Sequence, residues 1–240
     1  MAQPRARMNH SAISCSAVVP AAGIGRRFGG EVPKQYLSLH GATVMEHTLR
    51  LLLAVPRLRR IVVVLHPEDS RWQALAPFSD ARVVTAIGGA ERCDSVLNGL
   101  LQLERIGERS DFALVHDVAR PCCPRADIEN LLDQLAAHPV GGLLAAPVSD
   151  TIKRVDAARQ IEETVDRSAL WQALTPQLFR FQLLRDALAH CIGLGQVVTD
   201  EAQAMEALGW HAQVVEGSRR NIKITRPEDL ALAEYYLSRR

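Results

Sequence analysis

A loop of small residues that ends in three cations lies near the start of the 240-residue chain. The stretch from Pro20 to Gly25 is built of small residues, which let backbone N–H groups approach an anion closely. Arg26, Arg27 and Lys34 follow it and could neutralise a polyphosphate. The loop therefore predicts a nucleoside triphosphate site, and the other interpretation is an ordinary surface turn with exposed arginines.

Two common phosphate-binding patterns do not fit this loop. A dinucleotide fold uses G-x-G-x-x-G, and Phe28 stands where the third glycine belongs. The Walker A pattern G-x-x-x-x-G-K-S/T is missing from the loop. His66 and Pro67, rather than an acidic residue, follow the predicted strand that ends at Leu65, which also disfavours a nicotinamide dehydrogenase.

Further polar residues follow other apolar runs. Gly89 to Ser95 form a second glycine turn that opens a helix, where free N–H groups favour an anion or a polar base edge. Asp117 follows another run and predicts a Mg²⁺ ligand beside phosphates, or else a helix cap or a partner of Arg120. Lys223 alternates with two isoleucines and is either a site cation or an edge-strand lysine.

A helix cap is predicted at residues 199–201, where Thr-Asp-Glu precedes a helical pattern. This capping role accounts for most of the signal, and a second possibility is that Asp200 faces the site.

Motifs for nucleophilic catalysis are missing from the sequence. It contains no serine elbow, no obvious pair of catalytic carboxylates and no evident Cys–His pair. A site rich in cations suits phosphoryl chemistry, in which a protein mainly positions groups and neutralises charge. An attacking phosphate monoester is mostly dianionic at neutral pH, because its second pKa is about 6. Such a nucleophile needs cations around it rather than a general base.

The elements that must position these residues alternate between short apolar runs and helical patterns, which predicts an α/β fold with a mostly parallel sheet. Strands are predicted at 17–19, 61–65, 82–87, 112–116, 141–148, 212–216 and 221–225, and helices at 44–54, 94–106, 128–137, 179–191, 201–208 and 227–237. Ligands of such sheets bind at the carboxyl ends of the strands, so we expect the polar residues to meet there.

The segment 149–170 breaks this alternation. Residues 151–155 and 161–165 alternate in polarity as the two strands of a hairpin do. A two-stranded ribbon is marginally stable alone. We therefore expect this β-arm to pack on another surface, such as a second subunit.

Composition limits the remaining possibilities. Apolar residues make up 48% of the chain and support one domain over residues 15–240, with 1–14 expected to be a disordered lead-in. A net charge of +1 gives no general attraction to nucleic acid or membrane, and no apolar run approaches the roughly 20 residues of a membrane span. Five cysteines without a C-x-x-C pair argue against disulfides and zinc and favour the cytoplasm.

Seven short motifs, in order along residues 17–239, resemble those of the 2-C-methyl-D-erythritol 4-phosphate cytidylyltransferases. They are PAAGIGRR at 20–27, PKQY at 33–36, HDVARP at 116–121, DTIK at 150–153, LTPQ at 174–177, TDE at 199–201 and NIKIT at 221–225. The resemblance implies a Rossmann-like nucleotidyltransferase with helices on both faces of its sheet. It also implies a Mg²⁺-dependent reaction of CTP with methylerythritol 4-phosphate, releasing pyrophosphate, in non-mevalonate isoprenoid biosynthesis.

The same resemblance implies roles for individual residues. Catalytic roles fall to Arg27, Lys34, Lys223 and Arg167; nucleotide binding to Ala21, Ala22, Gly23, Gly25, Gly89, Ser95, Asp117 and Val118; substrate binding to Thr151, Arg120, Arg167 and Thr175; and metal binding to Asp117. The arm residues Thr151 and Arg167 would reach into the neighbouring subunit of a homodimer. Ala90 and Val118 depart from the family pattern, and neither change removes a charge.

Two alternatives stay open at this point. A cytidylyltransferase for another sugar alcohol phosphate, such as ribitol 5-phosphate, would share the CTP loops and differ in the arm. A non-catalytic nucleotide-binding protein is disfavoured because Arg27, Lys34 and Lys223 are all present.

Overall fold

The computed structural model describes residues 13–23, 32–75 and 80–239. The strands are β1 Cys15–Pro20, β2 Ser38–Leu39, β3 Ala42–Thr43, β4 Leu58–Leu65, β5 Val83–Ile87, β6 Phe112–Val115, β7 Gly141–Pro147, β8 Ile152–Val155, β9 Ile161–Val165, β10 Trp171–Arg180 and β11 Gln213–Glu216. The helices are α1 Val44–Leu53, α2 Arg92–Arg105, α3 Arg125–Leu135, α4 Phe181–Gly193, α5 Glu201–Ala207 and α6 Glu228–Leu237. Short 3₁₀ turns occur at Lys34–Tyr36 and Trp72–Ala74.

Seven strands form the central sheet in the order β11-β7-β10-β6-β1-β4-β5. Strand β1 pairs in parallel with β4 and β6, β4 with β5, and β7 with β11, whereas β10 runs antiparallel between β6 and β7. The predicted α/β architecture with a mostly parallel sheet is therefore confirmed. Within the described residues, no helix has both the length and the apolar character needed to cross a membrane.

Both faces of the sheet are covered, which explains the continuous apolar runs of the central strands. Ala17 and Val19 of β1 belong to one apolar cluster with residues of α1 and α3. Val18, between them, belongs to a second cluster with residues of α2, α4 and α5. Alternate side chains of β1 therefore anchor opposite helical layers, and the end of β1 is held rigidly where the glycine-rich loop begins.

Strand β10 is missing from the sequence prediction, because a proline inside a central strand argues against one. Its register against β7 shifts between Ala173 and Gln177, so Pro176 falls in the irregular part of the ladder. The N–H that proline lacks is not required there. Because β10 continues to Arg180, α4 begins at Phe181 rather than at the predicted residue 179.

The predicted strand at residues 221–225 is wrong. Residues 221–225 lie in no strand, and the backbone bonds described for them include one to a distant segment, from Ile224 N–H to the Ala119 carbonyl at 2.9 Å. The carbonyls of Asn221 and Ile224 accept bonds from the side chains of Arg120 and Lys34 instead. Cations of the site thus occupy the acceptors that a neighbouring strand would use.

The predicted β-hairpin within 149–170 is present. Strands β8 and β9 form their own two-stranded antiparallel sheet, with Ile152 opposite Val165. Cross-strand bonds join Arg154 to Glu163 at 2.6 Å. Ile161 is 64% exposed, which leaves an apolar residue of the arm open to solvent in the isolated chain.

Candidate active site

The first half of the glycine-rich loop is fixed by one buried amide. The Gln35 side chain donates from Nε2 to the carbonyls of Ala21, at 2.8 Å, and Gly23, at 3.2 Å. Residues 24–31 lie outside the described part of the chain, and with them Gly25 and Arg27, to which the sequence assigned nucleotide binding and catalysis. Gln35 therefore positions the described start of the loop, directly after β1.

The second glycine turn packs against the first. A Cβ atom added to Gly88 would overlap the Cβ of Ala22 and lie 3.0 Å from Ser95 Oγ, so only glycine allows this approach. Ser95 Oγ accepts a bond from the Gly89 N–H at 3.2 Å and donates to the Glu91 carbonyl at 3.1 Å. The Ser95 hydroxyl thereby shapes the turn at the start of α2, and its predicted contact with the base stays a prediction.

Asp117 lies two residues beyond the end of β6 and is surrounded by cations. Its Oδ1 accepts bonds from Arg92 at 3.0 and 3.2 Å. Its Oδ2 lies 2.9 Å from the Lys223 ammonium and 3.4 Å from Arg120 Nε. The predicted partnership of Asp117 with Arg120 and its proximity to Lys223 are both present, whereas Arg92 was not a predicted site residue.

These neighbours determine the ionisation of Asp117. Asp117 is only 7% exposed, and burial alone would raise the pKa of its carboxyl group. The charges of Arg92, Lys223 and Arg120 outweigh burial and hold that pKa far below its ordinary value. Asp117 is therefore a permanent carboxylate and cannot serve as a general acid or base near neutral pH.

A second carboxylate holds the far side of Arg92. Glu201, the first residue of α5, has an exposure of 0%, and its Oε1 accepts from Arg92 Nη1 at 2.6 Å. Burial raises the pKa of Glu201, and the neighbouring Arg92 opposes part of this rise. Three cations, with Arg120 and Lys223 included, thus face two carboxylates, and the cluster is net positive.

Hydrogen bonds from two cations to backbone carbonyls connect distant loops to the cluster. Lys34 Nζ donates to the Ile224 carbonyl at 3.0 Å, which links the glycine-rich loop to the residues beside Lys223. Arg120 Nη1 donates to the Asn221 carbonyl at 2.8 Å. The structure therefore brings Lys34, Arg120 and Lys223 to one edge of the sheet, as the sequence predicted.

A buried hydrogen-bond chain fixes the backbone of Asp117. His116 Nε2 lies 3.1 Å from the Arg120 carbonyl, which can only accept, so the proton resides on Nε2. His116 Nδ1 then accepts from the Thr175 hydroxyl at 3.0 Å, and Thr175 Oγ1 accepts from the Asp117 N–H at 3.0 Å. The hydroxyl that the resemblance assigned to substrate binding is thus engaged in holding Asp117.

His116 provides a pH-dependent prediction. Complete burial lowers the pKa of His116 to about 4, whereas an unfolded chain has a histidine pKa of about 6.5. Below about pH 6.5 the unfolded state takes up a proton first, so this contribution to stability is full above that pH and is lost as the pH falls toward about 4. We expect a loss of about 2 kcal/mol in unfolding free energy from this residue between about pH 7.5 and pH 5.

Urea denaturation at the two pH values, applied to the wild type and to His116→Gln, measures this contribution. Glutamine retains a donor but does not titrate, so its variant is expected to lose less stability on acidification. Equal pH dependence in the two proteins would show that His116 is not the titrating group.

Few side chains among the described residues could bind a divalent cation. They contain no group of three or more His, Cys, Asp or Glu side chains arranged to hold a metal. Asp117 supplies one permanently ionised carboxylate at the strand ends. This donor set fits Mg²⁺ that arrives with a triphosphate, since Mg²⁺ commonly binds one or two carboxylates and keeps phosphate and water ligands.

Other predicted residues lie apart from the cluster or contribute through the backbone. No hydrogen bond or ion pair in the described chain joins Thr151 or Arg167 to the Asp117 cluster, and both residues are exposed. Val118 packs in the apolar core, and its carbonyl accepts from Thr48 at 2.7 Å. Asp200 accepts from the Gln203 N–H at 2.9 Å, which confirms it as the cap of α5.

Three residues that hold the cluster or the glycine-rich loop in place were not among the predicted site residues: Gln35, Arg92 and Glu201. Each lay inside a quoted motif, at PKQY, the second glycine turn and TDE. Of the three, only Arg92 offered a usable signal in the sequence. It is an arginine beside a predicted anion site, and arginines commonly pair with carboxylates. The pairing itself joins residues 109 positions apart and leaves no periodic pattern.

Comparisons with known proteins agree on one family. The family model "IspD: 2-C-methyl-D-erythritol 4-phosphate cytidylyltransferase" matches residues 15–239. A 2-C-methyl-D-erythritol 4-phosphate cytidylyltransferase of Vibrio vulnificus (strain YJ016) is 47% identical over 232 residues, covering 97% of this chain and 98% of the relative. One of Escherichia coli O1:K1 / APEC is 50% identical over 224 residues, covering 93% of each.

A solved structure gives the same result. The crystal structure of the Francisella tularensis 2-C-methyl-D-erythritol 4-phosphate cytidylyltransferase is 34% identical and superposes with a TM-score of 0.79. The similarity covers 93% of this chain and 99% of that one. Sequence and fold are therefore similar to the same family along nearly the whole chain.

Proposed function

The chain belongs to the IspD family of 2-C-methyl-D-erythritol 4-phosphate cytidylyltransferases, and from this premise we propose that the cationic cluster around Asp117 is its active site. The protein is a nucleotidyltransferase that joins CTP and 2-C-methyl-D-erythritol 4-phosphate in isoprenoid biosynthesis. The relatives do not favour the alternative acceptor, ribitol 5-phosphate.

The reaction forms one P–O bond and breaks another. An oxygen of the 4-phosphate attacks the α-phosphorus of CTP, and the bond from that phosphorus to the bridging oxygen of the β-phosphate breaks. Pyrophosphate leaves with the electron pair, and 4-diphosphocytidyl-2-C-methyl-D-erythritol remains. Two anions must approach each other, so the protein has to supply positive charge at this point.

The observation that carries this assignment is a net positive cluster without a competent base. Asp117 is held ionised by Arg92, Arg120 and Lys223, and both nitrogens of His116 are occupied. A phosphate dianion needs no proton removed, because its second pKa is about 6. The side chains of Lys34 and Lys223 would bind and orient the phosphates, while the turn from Gly89 to Ser95 would receive the cytosine.

Mg²⁺ is part of this proposal. Asp117 would hold it together with oxygens of the triphosphate, and the ion would neutralise charge on the leaving pyrophosphate. Lys223 is the exchangeable partner of Asp117, since its side chain is 39% exposed while that of Asp117 is 10% exposed. The ammonium could move toward a phosphate without leaving a buried position.

Pyrophosphate release tests the function directly. The protein is incubated with Mg²⁺, each of the four nucleoside triphosphates, and either methylerythritol 4-phosphate or ribitol 5-phosphate. We expect release only with CTP and methylerythritol 4-phosphate. Release of pyrophosphate with ribitol 5-phosphate, and none with methylerythritol 4-phosphate, would show that ribitol 5-phosphate is the acceptor. Binding of CTP without turnover on any acceptor would refute catalysis.

We further propose that two copies of the chain form a dimer through the β-arm. The arm is a two-stranded sheet with an exposed apolar residue, Ile161, and such ribbons gain stability by packing on a partner. Thr151 and Arg167 lie at its base and are exposed, and among the described residues no hydrogen bond or ion pair joins them to the Asp117 cluster. They would complete the sugar-phosphate site of the partner subunit.

Replacement of Arg167 by alanine should raise the KM for methylerythritol 4-phosphate by at least about 10-fold, because a charged hydrogen bond to phosphate is lost. The KM for CTP should change by less than about threefold, since this arginine does not bind the triphosphate. Arg154→Ala, on the same arm but paired with Glu163, is the matched control. Equal effects on the two KM values would contradict the assignment of Arg167.

Mixing two impaired variants, assayed at methylerythritol 4-phosphate concentrations below the wild-type KM, tests sharing between subunits. Lys34→Ala and Arg167→Ala proteins are unfolded together and refolded, so that mixed dimers form. One site of a mixed dimer would carry both intact residues, and we expect activity to return to a fraction of the wild-type value. If samples shown to contain mixed dimers recover no activity, Lys34 and Arg167 of one chain contribute to the same site.

A cytoplasmic location is the last part of the proposal. The cysteines Cys15, Cys93 and Cys191 are buried and form no disulfide. Thiols outside disulfides suit a reducing compartment.

A further inference from the structure

Arg92 bridges two buried carboxylates that belong to different parts of the fold. Its guanidinium donates to Asp117 Oδ1 at 3.0 and 3.2 Å and to the two oxygens of Glu201 at 2.6 and 3.2 Å. Asp117 follows β6, whereas Glu201 begins α5 on the other side of β10 in the chain. One planar fork with five donors on three nitrogens reaches both carboxylates with separate N–H groups, whereas an ammonium has three donors on a single nitrogen.

The three cations of Asp117 are not equivalent. Lys223 is well exposed at its side chain, and Arg120 reaches Asp117 with a single Nε contact of 3.4 Å. Arg92 makes two contacts with Oδ1 and is held from behind by Glu201. Arg92 would therefore stay in place if Lys223 moved from Asp117 to a phosphate.

Glu201 is itself held by its surroundings. It opens α5, whose cap Asp200 also accepts a bond from Gln177 Nε2 at 2.9 Å. Gln177 Oε1 accepts from the Ala202 N–H at 2.9 Å, so β10 and the start of α5 are joined on both sides of Glu201. A carboxylate with no exposure is tolerated only when paired, and Arg92 is the partner that compensates its charge.

We propose that Arg92, anchored by Glu201, is a positioning residue that fixes the Asp117 carboxylate for the incoming nucleotide and its divalent cation. This inference rests on the proposed function, because it concerns the same site. The three paired side chains Glu201, Arg92 and Asp117, here called the frame, connect the start of α5 to the carboxyl ends of the strands. Lysine at position 92 retains the charge, but its three donors on one nitrogen cannot reproduce the four contacts that Arg92 makes with the two carboxylates.

Two variants test the frame. Arg92→Lys breaks the bridge, and Glu201→Gln keeps the shape of the anchor while removing its charge. We expect Arg92→Lys to lower kcat by about 10- to 100-fold, the scale associated with misplacing a catalytic group by about 1 Å. Glu201→Gln should act in the same direction with a smaller effect, about 3- to 10-fold, because the amide oxygen still accepts one bond.

Binding of CTP as a function of Mg²⁺ concentration provides a readout other than activity. Titration calorimetry with CTP should show the Mg²⁺ concentration for half-maximal affinity raised by at least about fivefold in Arg92→Lys. A purely structural role for Arg92 would lower the Tm without changing this requirement.

Arg57→Lys is the matched control. Arg57 also bridges two carboxylates, with contacts of 3.0 Å to Glu129 and 2.6 Å to Asp133. It precedes β4, at the opposite end of the sheet from the strand ends that carry Asp117. We expect its kcat and Mg²⁺ requirement to stay within about twofold of the wild type.

The outcomes separate the frame from the function itself. Wild-type protein that releases no pyrophosphate would refute the proposed function. Active wild type with an unchanged Mg²⁺ requirement and kcat in Arg92→Lys and Glu201→Gln would overturn the frame. Effects of Arg57→Lys as large as those of Arg92→Lys would also overturn it. If Arg92→Lys does not fold, Glu201→Gln decides alone.

Discussion

Replacement of Lys34 by alanine is expected to lower kcat by at least about 100-fold, the scale observed when one preorganised donor to a developing charge is removed. Lys34 Nζ lies 3.0 Å from the Ile224 carbonyl, beside the residue that carries the other lysine of the site. Its ammonium is thus anchored within reach of the strand ends, where the triphosphate is proposed to bind. Charge on the leaving pyrophosphate would increase as its bond to the α-phosphorus breaks. The factor by which kcat falls should therefore exceed the factor by which CTP affinity falls.

Steady-state pyrophosphate release, with calorimetric binding of CTP, measures these two effects separately. Arg50→Ala serves as the control, because Arg50 is an exposed cation on α1 paired only with Glu46 in the described chain. Near-normal kcat in Lys34→Ala would refute its catalytic role. An equal loss in CTP affinity and in kcat/KM, with kcat unchanged, would reduce Lys34 to a binding residue.

Replacement of Asp117 by asparagine is expected both to inactivate the protein and to destabilise it. The change removes the common counter-ion of Arg92, Arg120 and Lys223. Breaking a buried ion pair from one side costs about 3 kcal/mol of unfolding free energy, because the remaining charges stay desolvated. The loss of the proposed metal ligand should lower kcat by at least about 100-fold at saturating substrates.

Urea denaturation and pyrophosphate release test the two parts of this expectation. Asp133→Asn is the matched control, since Asp133 also pairs with an arginine but its side chain is 62% exposed. An exposed pair contributes less than about 1 kcal/mol, so this variant should retain stability and activity. Asp117→Asn with near-normal turnover would exclude Asp117 as metal ligand, and wild-type stability would show that its three cations are well solvated.

Most of the fold could be predicted because its information is local. The run from Ile61 to Leu65 is β-branched and apolar, and it forms the buried part of β4. The polar alternation in 151–155 and 161–165 predicted the arm. The failures were at β10, where Pro176 concealed a strand, and at residues 221–225, where side chains of the site took the backbone acceptors.

The sequence by itself determined the edge of the sheet at which the site lies and several of the side chains that meet there. Glycine turns, a carboxylate and cations each follow an apolar run, and parallel strands bring their carboxyl ends to one edge. Lys34, Asp117 and Arg120 could be identified in this way, whereas Lys223 was assigned to the site only by the family resemblance. Their assignment to a particular acceptor depended on resemblance, which the comparisons then confirmed at the level of the family.

Only the tertiary structure decided how Asp117 is held. Arg92 and Glu201 are 109 residues apart, and their bridge depends on α5 being brought beside β6 by way of β10. The hydroxyl of Thr175 likewise reaches Asp117 across 58 residues, and His116 orients it. Ion pairs and hydrogen bonds of this kind depend on distance and burial in the folded chain, and neither periodicity nor local propensity encodes them.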